Sequence, residues 1–150
     1  MLAPMAILLK RAREKPARGD GTRVLVDRVW PRGVGRQEAK LHAWLRDLAP
    51  SDRLRRWFDE QGGPPELWLR FRRRYLGELS DPAATRALEE LYRLAAERRT
   101  LTLLHSARDT EHNGARVLKE LLEGARKPPS SAGPAATAAR GVRARRAARR

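Results

Sequence analysis

Two short apolar runs constrain this chain more than anything else in it. Val24-Leu25-Val26 and Leu101-Thr102-Leu103-Leu104 place large aliphatic residues side by side, without the polar alternation of a strand that has one wet face. Adjacent aliphatics mark strands covered on both faces, the pattern of parallel sheets. The residues between the two runs have helical periodicity, and a crossover of that length allows the two strands to lie parallel. The expected architecture is therefore α/β: a small, mostly parallel sheet of three or more strands covered by helices.

The remaining elements fit that frame. Ala6 to Leu9 is a first strand and Arg11 to Gly21 a loop. Arg23 to Asp27 is the second strand. Leu41, Trp44, Leu45 and Leu48 are spaced for one face of a helix over Glu38 to Leu48. Ser51 can cap a short helix running through Phe58, and Gly62 to Pro65 breaks the chain. Glu66 to Leu79 carries Leu67, Trp68, Phe71, Tyr75 and Leu79 on one helical face. Asp81-Pro82 opens a further helix to about Arg98, and Thr100 to His105 is the next strand. Asp109 or Thr110 begins a last helix through Val117, Leu118, Leu121 and Leu122. Residues 1 to 126 thus make one domain of ordinary size.

Residues 127 to 150 differ. The run PPSSAGPAATAARGVRARRAARR has one large aliphatic residue, Val142, and too little apolar surface to offset the entropy of ordering. A disordered tail is expected. As a basic arm it would hold nucleic acid non-specifically through phosphates; as a plain extension it would be dispensable. The net charge of +15 is distributed accordingly. Seven of the 33 basic residues and none of the 18 acidic ones lie in the tail, leaving 26 against 18, or +8, for residues 1 to 126. The chain has no cysteine, which removes disulfides, thiolate nucleophiles and Cys-ligated zinc, and is compatible with a cytoplasmic location. No stretch is long and apolar enough to span a bilayer.

Chemistry is concentrated after the two main strands. Asp27, Arg28, Trp30, Pro31, Arg32 and Gly33 follow the first, and His105, Ser106, Arg108, Asp109, His112 and Asn113 follow the second. Ligands of open α/β sheets bind outside the carboxyl ends of the strands, so neighbouring parallel strands would bring both clusters to one edge. Arg28 and Arg32 can hold an anion through their planar forks, with Gly33 in the adjoining turn and Arg108 and Asn113 as further anion contacts. Asp27, Asp109 and His112 are the candidate acid–base groups; a neutral His112 beside Asp109 at a helix start has the character of a general base. Each has a plain alternative, as an ion pair, a turn or a cap. The Gly33 and Gly35 segment is not a P-loop, and Ser106 lacks a nucleophile elbow. Histidines at 42, 105 and 112 form no metal-ligand pattern, and no cofactor is implied. Trp44, Trp57 and Trp68 read as core residues, whereas Trp30 lies in a loop.

The runs RVLVDRVWPRG, WLRDLAPSDRLRRWF, WLRFRRRYLGEL and LTLLHSARDTEHNGARVL, in this order, resemble the YeaO-like family of small bacterial proteins. The resemblance covers roughly residues 5 to 123. The family's D-R-x-W-P-R-G matches Asp27, Arg28, Trp30, Pro31, Arg32 and Gly33. Its A-P-S matches Ala49, Pro50 and Ser51. Its A-[RK]-D-x-E-H-N matches Ala107, Arg108, Asp109, Glu111, His112 and Asn113, while His105 replaces a common tyrosine. The resemblance implies a compact cytosolic α/β domain, with the arginine-rich tail as an addition, and no particular activity. Three functions remain open: binding or hydrolysis of a phosphate-bearing small molecule; nucleic-acid binding through Arg53, Arg55, Arg56, Arg70, Arg72, Arg73, Arg74 and the tail; and a protein–protein adaptor role.

Overall fold

The computed structural model describes residues 6–126; the predicted tail lies outside the described residues. Four strands form one sheet in the order β1-β4-β2-β3: β1 (Ala6–Arg11), β2 (Thr22–Leu25), β3 (Ala43–Trp44) and β4 (Thr100–His105). Every neighbouring pair is parallel, as the adjacent aliphatics require. Strand β4 lies between β1 and β2 and is buried from Leu101 to His105. Its register against β2 sets Val24 opposite Leu103 and Leu25 opposite Leu104.

Four helices complete the domain: α1 (Asp52–Glu60), α2 (Pro65–Glu78), α3 (Pro82–Glu97) and α4 (Gly114–Arg126). The first three begin and end within two residues of the expected positions. Ser51 caps α1 by accepting the Leu54 N–H at 3.1 Å, and a proline occupies the first helical position of α2 and of α3.

Two expectations are corrected. Residues 38–48 are not a helix. After a single turn, Lys40 takes a positive φ of 49°. The N–H groups of His42 and Leu45 then donate to Arg23 and Leu25 carbonyls of β2, at 2.8 and 2.9 Å. The backbone bonds of this segment go to the sheet edge, where β3 forms, and a 3₁₀ turn covers Arg46–Leu48. The helical spacing of its apolar residues is met differently: Leu48 joins the main core, while Leu41 and Trp44 pack on the opposite face of the sheet. Likewise α4 starts at Gly114 and not at Asp109 or Thr110. Asn113 Oδ1 accepts the Arg116 N–H at 2.9 Å and so performs the capping.

The two faces of the sheet are unequal. Side chains alternate along each strand. Ile7, Val24, Val26, Leu101 and Leu103 point to a large core that contains every buried helical residue, among them Phe58, Phe71, Tyr75, Leu91, Leu94, Val117 and Leu118. The opposite face carries only Ala12, Leu25 and Leu104, with Trp30, Leu41 and Trp44 against them, all from strands and loops. Polar residues occupy the rest of that face: Arg23 and Thr102 are buried beside Asp20, whose backbone carbonyl accepts the Thr102 hydroxyl at 2.6 Å. The α-helices therefore cover one face, and loops with the 3₁₀ turn Arg18–Asp20 cover the other.

Tyr75 ties the helical layer to the connection from β3 into α1. Its fully buried hydroxyl donates to the Leu48 carbonyl, and burial pushes its pKa well above the usual tyrosine value. Replacing it by phenylalanine leaves that carbonyl without its partner. Tyr75→Phe is expected to lower unfolding stability by about 1–3 kcal/mol, read from the midpoint of urea denaturation at unchanged slope.

Candidate functional site at the carboxyl ends of the strands

Because β2 and β4 pair in parallel with Leu25 beside Leu104, they end together, and the Val26 N–H extends the ladder to the Leu104 carbonyl at 3.1 Å. The residues after both strands then line one open cleft of about 800 Å³. It holds Asp27, Arg28 and Arg32 from the first cluster and Arg108, Asp109, His112 and Asn113 from the second. Gly33 is the one sequence-predicted site residue that does not line it; Gly33 turns away at φ 81° into a second recess. Arg32 borders both.

The segment Leu48–Ser51 holds this site in place. The Ala49 carbonyl accepts Arg28 Nη2 at 3.1 Å, the Leu48 carbonyl accepts Tyr75, and both the N–H and the hydroxyl of Ser51 donate to the Glu78 carboxylate at 2.8 and 2.6 Å. Gly114 closes the other side: a Cβ there would stand 3.0 Å from Pro50 Cγ. The start of α4 thus packs directly on the loop that holds Arg28. Arg28 Nε is buried in this arrangement without an acceptor. On the first cluster's outer side, Trp44 Nε1 donates to the Asp27 carbonyl at 2.7 Å, and Trp30 meets Trp44 edge to face.

The two aspartates have opposite electrostatics. Burial raises the Asp27 carboxyl above the ordinary carboxylate range; interaction with the Ser106 hydroxyl and backbone, and the charge of Arg55, offset this only in part. Burial acts in the same direction on Asp109, but there the Glu111 N–H, the His112 ring and the His112 N–H outweigh it, and its carboxyl titrates below the usual range. His112 Nδ1 lies 3.1 Å from Asp109 Oδ2, and its ring meets Trp68 edge to face at 5.1 Å. Since α4 begins after it, His112 belongs to a capping loop and not to a helical turn. His105 is buried with its pKa lowered, by desolvation first and then by Arg11, and its Nδ1 accepts the Ala107 N–H, so it is a packed neutral histidine.

Sequence reasoning overlooked what α1 brings. Asp52, Arg55 and Asp59 also line the cleft, on one helical stripe at the spacing i, i+3, i+7, which was the available signal. Arg55 is 3.5 Å from Asp52 and 3.6 Å from Asp59. Phe58, Phe71, Gly62 and Gly63 form the more apolar wall. Of the seven helical arginines considered for nucleic acid, Arg55 is paired in this way, Arg72 bonds Glu120 at 2.9 Å, and Arg74 lies over the Trp57 ring at 4.5 Å. Arg53, Arg56, Arg70 and Arg73 are exposed and have no ion-pair partner among the described residues. Among the described residues no group of three or more His, Asp or Glu side chains is placed to hold a metal ion, and no helix is long and apolar enough to cross a membrane.

Fold and site together define a small parallel α/β domain with a polar cleft at its strand ends. A family model described as the inactive DUF488-N3 subclade matches residues 6–138, so the matched region runs past residue 123, where the resemblance was expected to end. An uncharacterized protein of Mycobacterium tuberculosis (strain ATCC 25618 / H37Rv) is 41% identical over 105 residues, 70% of this chain and 83% of that protein. The uncharacterized protein YeaO of Escherichia coli (strain K12) is 38% identical over 120 residues, 79% of this chain and 97% of YeaO. The chain belongs to this family of YeaO-like proteins. No solved structure matches it.

The opposite shifts give opposite pH signatures. A group whose pKa is raised on folding binds its proton more tightly in the native state, so its ionisation costs stability as pH rises through the interval above the unfolded value. A group whose pKa is lowered contributes stability above the unfolded value that is lost as pH falls through the folded one. Asp27→Asn should therefore raise the melting temperature at pH 7, with the gain disappearing below pH ~4, near the unperturbed aspartate value. Asp109→Asn should lower it at pH 7, with the loss fading over the same acid range. Melting curves from pH 3 to 8 for both variants test the pair; curves of the same sign for both would refute the assignment.

Proposed function

We propose that the cleft binds a small phosphate-bearing anion, and that the domain is a binder rather than a hydrolase. One observation carries this reading. The lining includes four arginines and four aspartates, so the cleft as a whole is balanced, but the charges are not evenly paired. Asp52 and Asp59 flank Arg55, and Asp109 is engaged by His112. This leaves Arg28, Arg32 and Arg108 without a carboxylate partner among the described residues, facing Asp27 alone. Arg28 is half-buried and its buried N–H requires an acceptor, while Arg32 and Arg108 are exposed at the rim of the cleft, where their planar forks can close on a phosphate. Arg28, whose Nε has no acceptor in the protein, is the innermost of the three.

Asn113 and Asp27 would orient the uncharged part of the ligand. Asp109 and His112 are the acid–base pair a hydrolytic version of the site would use. The description of the matching subclade as inactive supports binding without turnover, and Asp109 has a sufficient occupation as the acceptor of two loop N–H groups. The same reading places the domain in the cytoplasm, where phosphorylated metabolites are made and retained.

A thermal-shift panel of nucleotides and phosphorylated sugars on the full chain tests the proposal, since a ligand that binds only the folded state raises the melting temperature by mass action. At least one phosphorylated compound should shift the wild type. Arg108→Ala should weaken its binding about tenfold or more, the value of a lost charge-assisted hydrogen bond. The bound compound should remain intact on prolonged incubation. An unchanged response in Arg108→Ala, or silence across the panel, rules the site out; release of phosphate by the wild type but not by Asp109→Asn would reinstate the hydrolase.

A further inference from the structure

We infer a second oxyanion-binding recess on the face of the sheet that the α-helices leave uncovered, built over two cations that share one carboxylate. Asp20 is buried and receives Lys10 Nζ at 3.0 and 3.1 Å through its two oxygens, Arg23 Nη1 at 2.6 Å and the Ala17 N–H at 2.9 Å. Arg23 is only 4% exposed. Its Nε donates to the Ala39 carbonyl at 2.9 Å, and its Nη2 is buried with no acceptor at all. Lys10, Arg23 and Asp20 therefore place one unneutralised positive charge inside the sheet face, together with one guanidinium NH2 group that the protein leaves unsatisfied. Each costs free energy unless something outside the triad offsets it.

The recess lies where that offset would act. It encloses about 600 Å³, and Arg23 forms part of its wall together with Arg13, Lys15, Arg32, Gly33 and Gly35. Arg13, Lys15 and Arg32 are exposed and have no ion-pair partner among the described residues. Two acidic residues, Glu14 and Glu38, also line it, against four basic ones. Glu14 is already engaged, accepting the Arg11 N–H at 2.9 Å. The recess is thus positive in balance, unlike the strand-end cleft. Gly33, at φ 81°, makes the turn that brings Arg32 to the boundary of both. A tetrahedral oxyanion of the phosphate class matches this set: it would add negative charge over the triad and accept from converging guanidinium and ammonium groups. This inference concerns a different surface from the strand-end cleft and does not depend on what that cleft binds.

The test is titration of the full ¹⁵N-labelled chain with inorganic phosphate, followed by amide shifts. Gly33 and Gly35 should move with a saturable dependence. The double variant Arg13→Gln/Lys15→Gln, which removes two exposed side chains outside the buried triad, should weaken that dependence about tenfold or more. Arg108→Gln, on the far side of Arg32, should leave it unchanged. A phosphodiester dinucleotide titrated in parallel tells a terminal phosphate from a backbone one, and saturable shifts at Gly33 from either uphold the recess. Absence of shifts at Gly33 and Gly35 with both probes overturns it. So does binding that survives the double variant intact, or that is lost in Arg108→Gln, which would assign the phosphate to the strand-end cleft.

Discussion

The pairing of Leu25 with Leu104 is the constraint on which the rest of the molecule depends. It fixes β2 and β4 in parallel with their carboxyl ends level, and both polar clusters follow from it. A slip of one residue would also exchange the two faces, because successive side chains point to opposite sides. A slipped β2 would carry Val24 out of the helical core and Arg23 into it. Burying Arg23 among Phe58, Phe71 and Tyr75 without Asp20 would leave an uncompensated charge in a low-dielectric interior. The register is thus held from both sides: by apolar packing on the helical face, and by the Lys10–Asp20–Arg23 triad on the other.

The inequality of the two faces explains why a domain of this size has so many working loops. All four helices contribute to one core, so the opposite face must be closed by the loop after β1 and the long loop after β2. Loops cover a sheet less completely than helices, and Leu8 remains 41% exposed on that side. The same loops carry Arg13, Lys15, Arg32 and Gly33. The segment between β2 and β3 therefore has two tasks: its first residues, Asp27 to Arg32, furnish the strand-end cleft, and the residues from Gly33 to Ala39 roof the polar face.

What the sequence disclosed divides along physical lines. Strands β1, β2 and β4 and helices α1, α2 and α3 were legible because local signals and tertiary demands agree in them: aliphatic runs, a serine cap, and prolines at first helical positions. Residues 38–48 were misread because Leu41, Trp44, Leu45 and Leu48 have helical spacing while their backbone partners lie on β2, twenty residues away. Spacing reports where side chains go and says nothing about where N–H groups go. The start of α4 was misplaced because Asp109 and Asn113 are both competent caps; Asp109 closes the loop before the helix and Asn113 begins the helix itself. The convergence of the two clusters followed from parallel pairing. The contribution of Asp52, Arg55 and Asp59 did not: their i, i+3, i+7 spacing marks one stripe of α1, but nothing local indicates that this stripe faces the strand ends. The burial of Arg23 was equally hidden: an arginine at the start of an apolar strand looks like a solvated end until Asp20 is seen folded back on it.

The family motifs acquire distinct physical meanings in this arrangement. Ala49-Pro50-Ser51 needs no ligand to account for it, since one short segment accepts Arg28, lies against Gly114 and ties α1 to Glu78. Asp109 and Asn113 of the second cluster are largely occupied as well, closing a loop and capping α4. Arg28 is held through Nη2 but keeps its buried Nε without an acceptor, and Arg32 and Arg108 have no carboxylate partner among the described residues. Capping and packing can account for an aspartate or a glycine of the motifs, but a buried guanidinium N–H without an acceptor, such as Arg28 Nε, has unmet hydrogen-bonding capacity. The proposal of an anion-binding cleft rests on that unmet capacity more than on the Asp109–His112 pair.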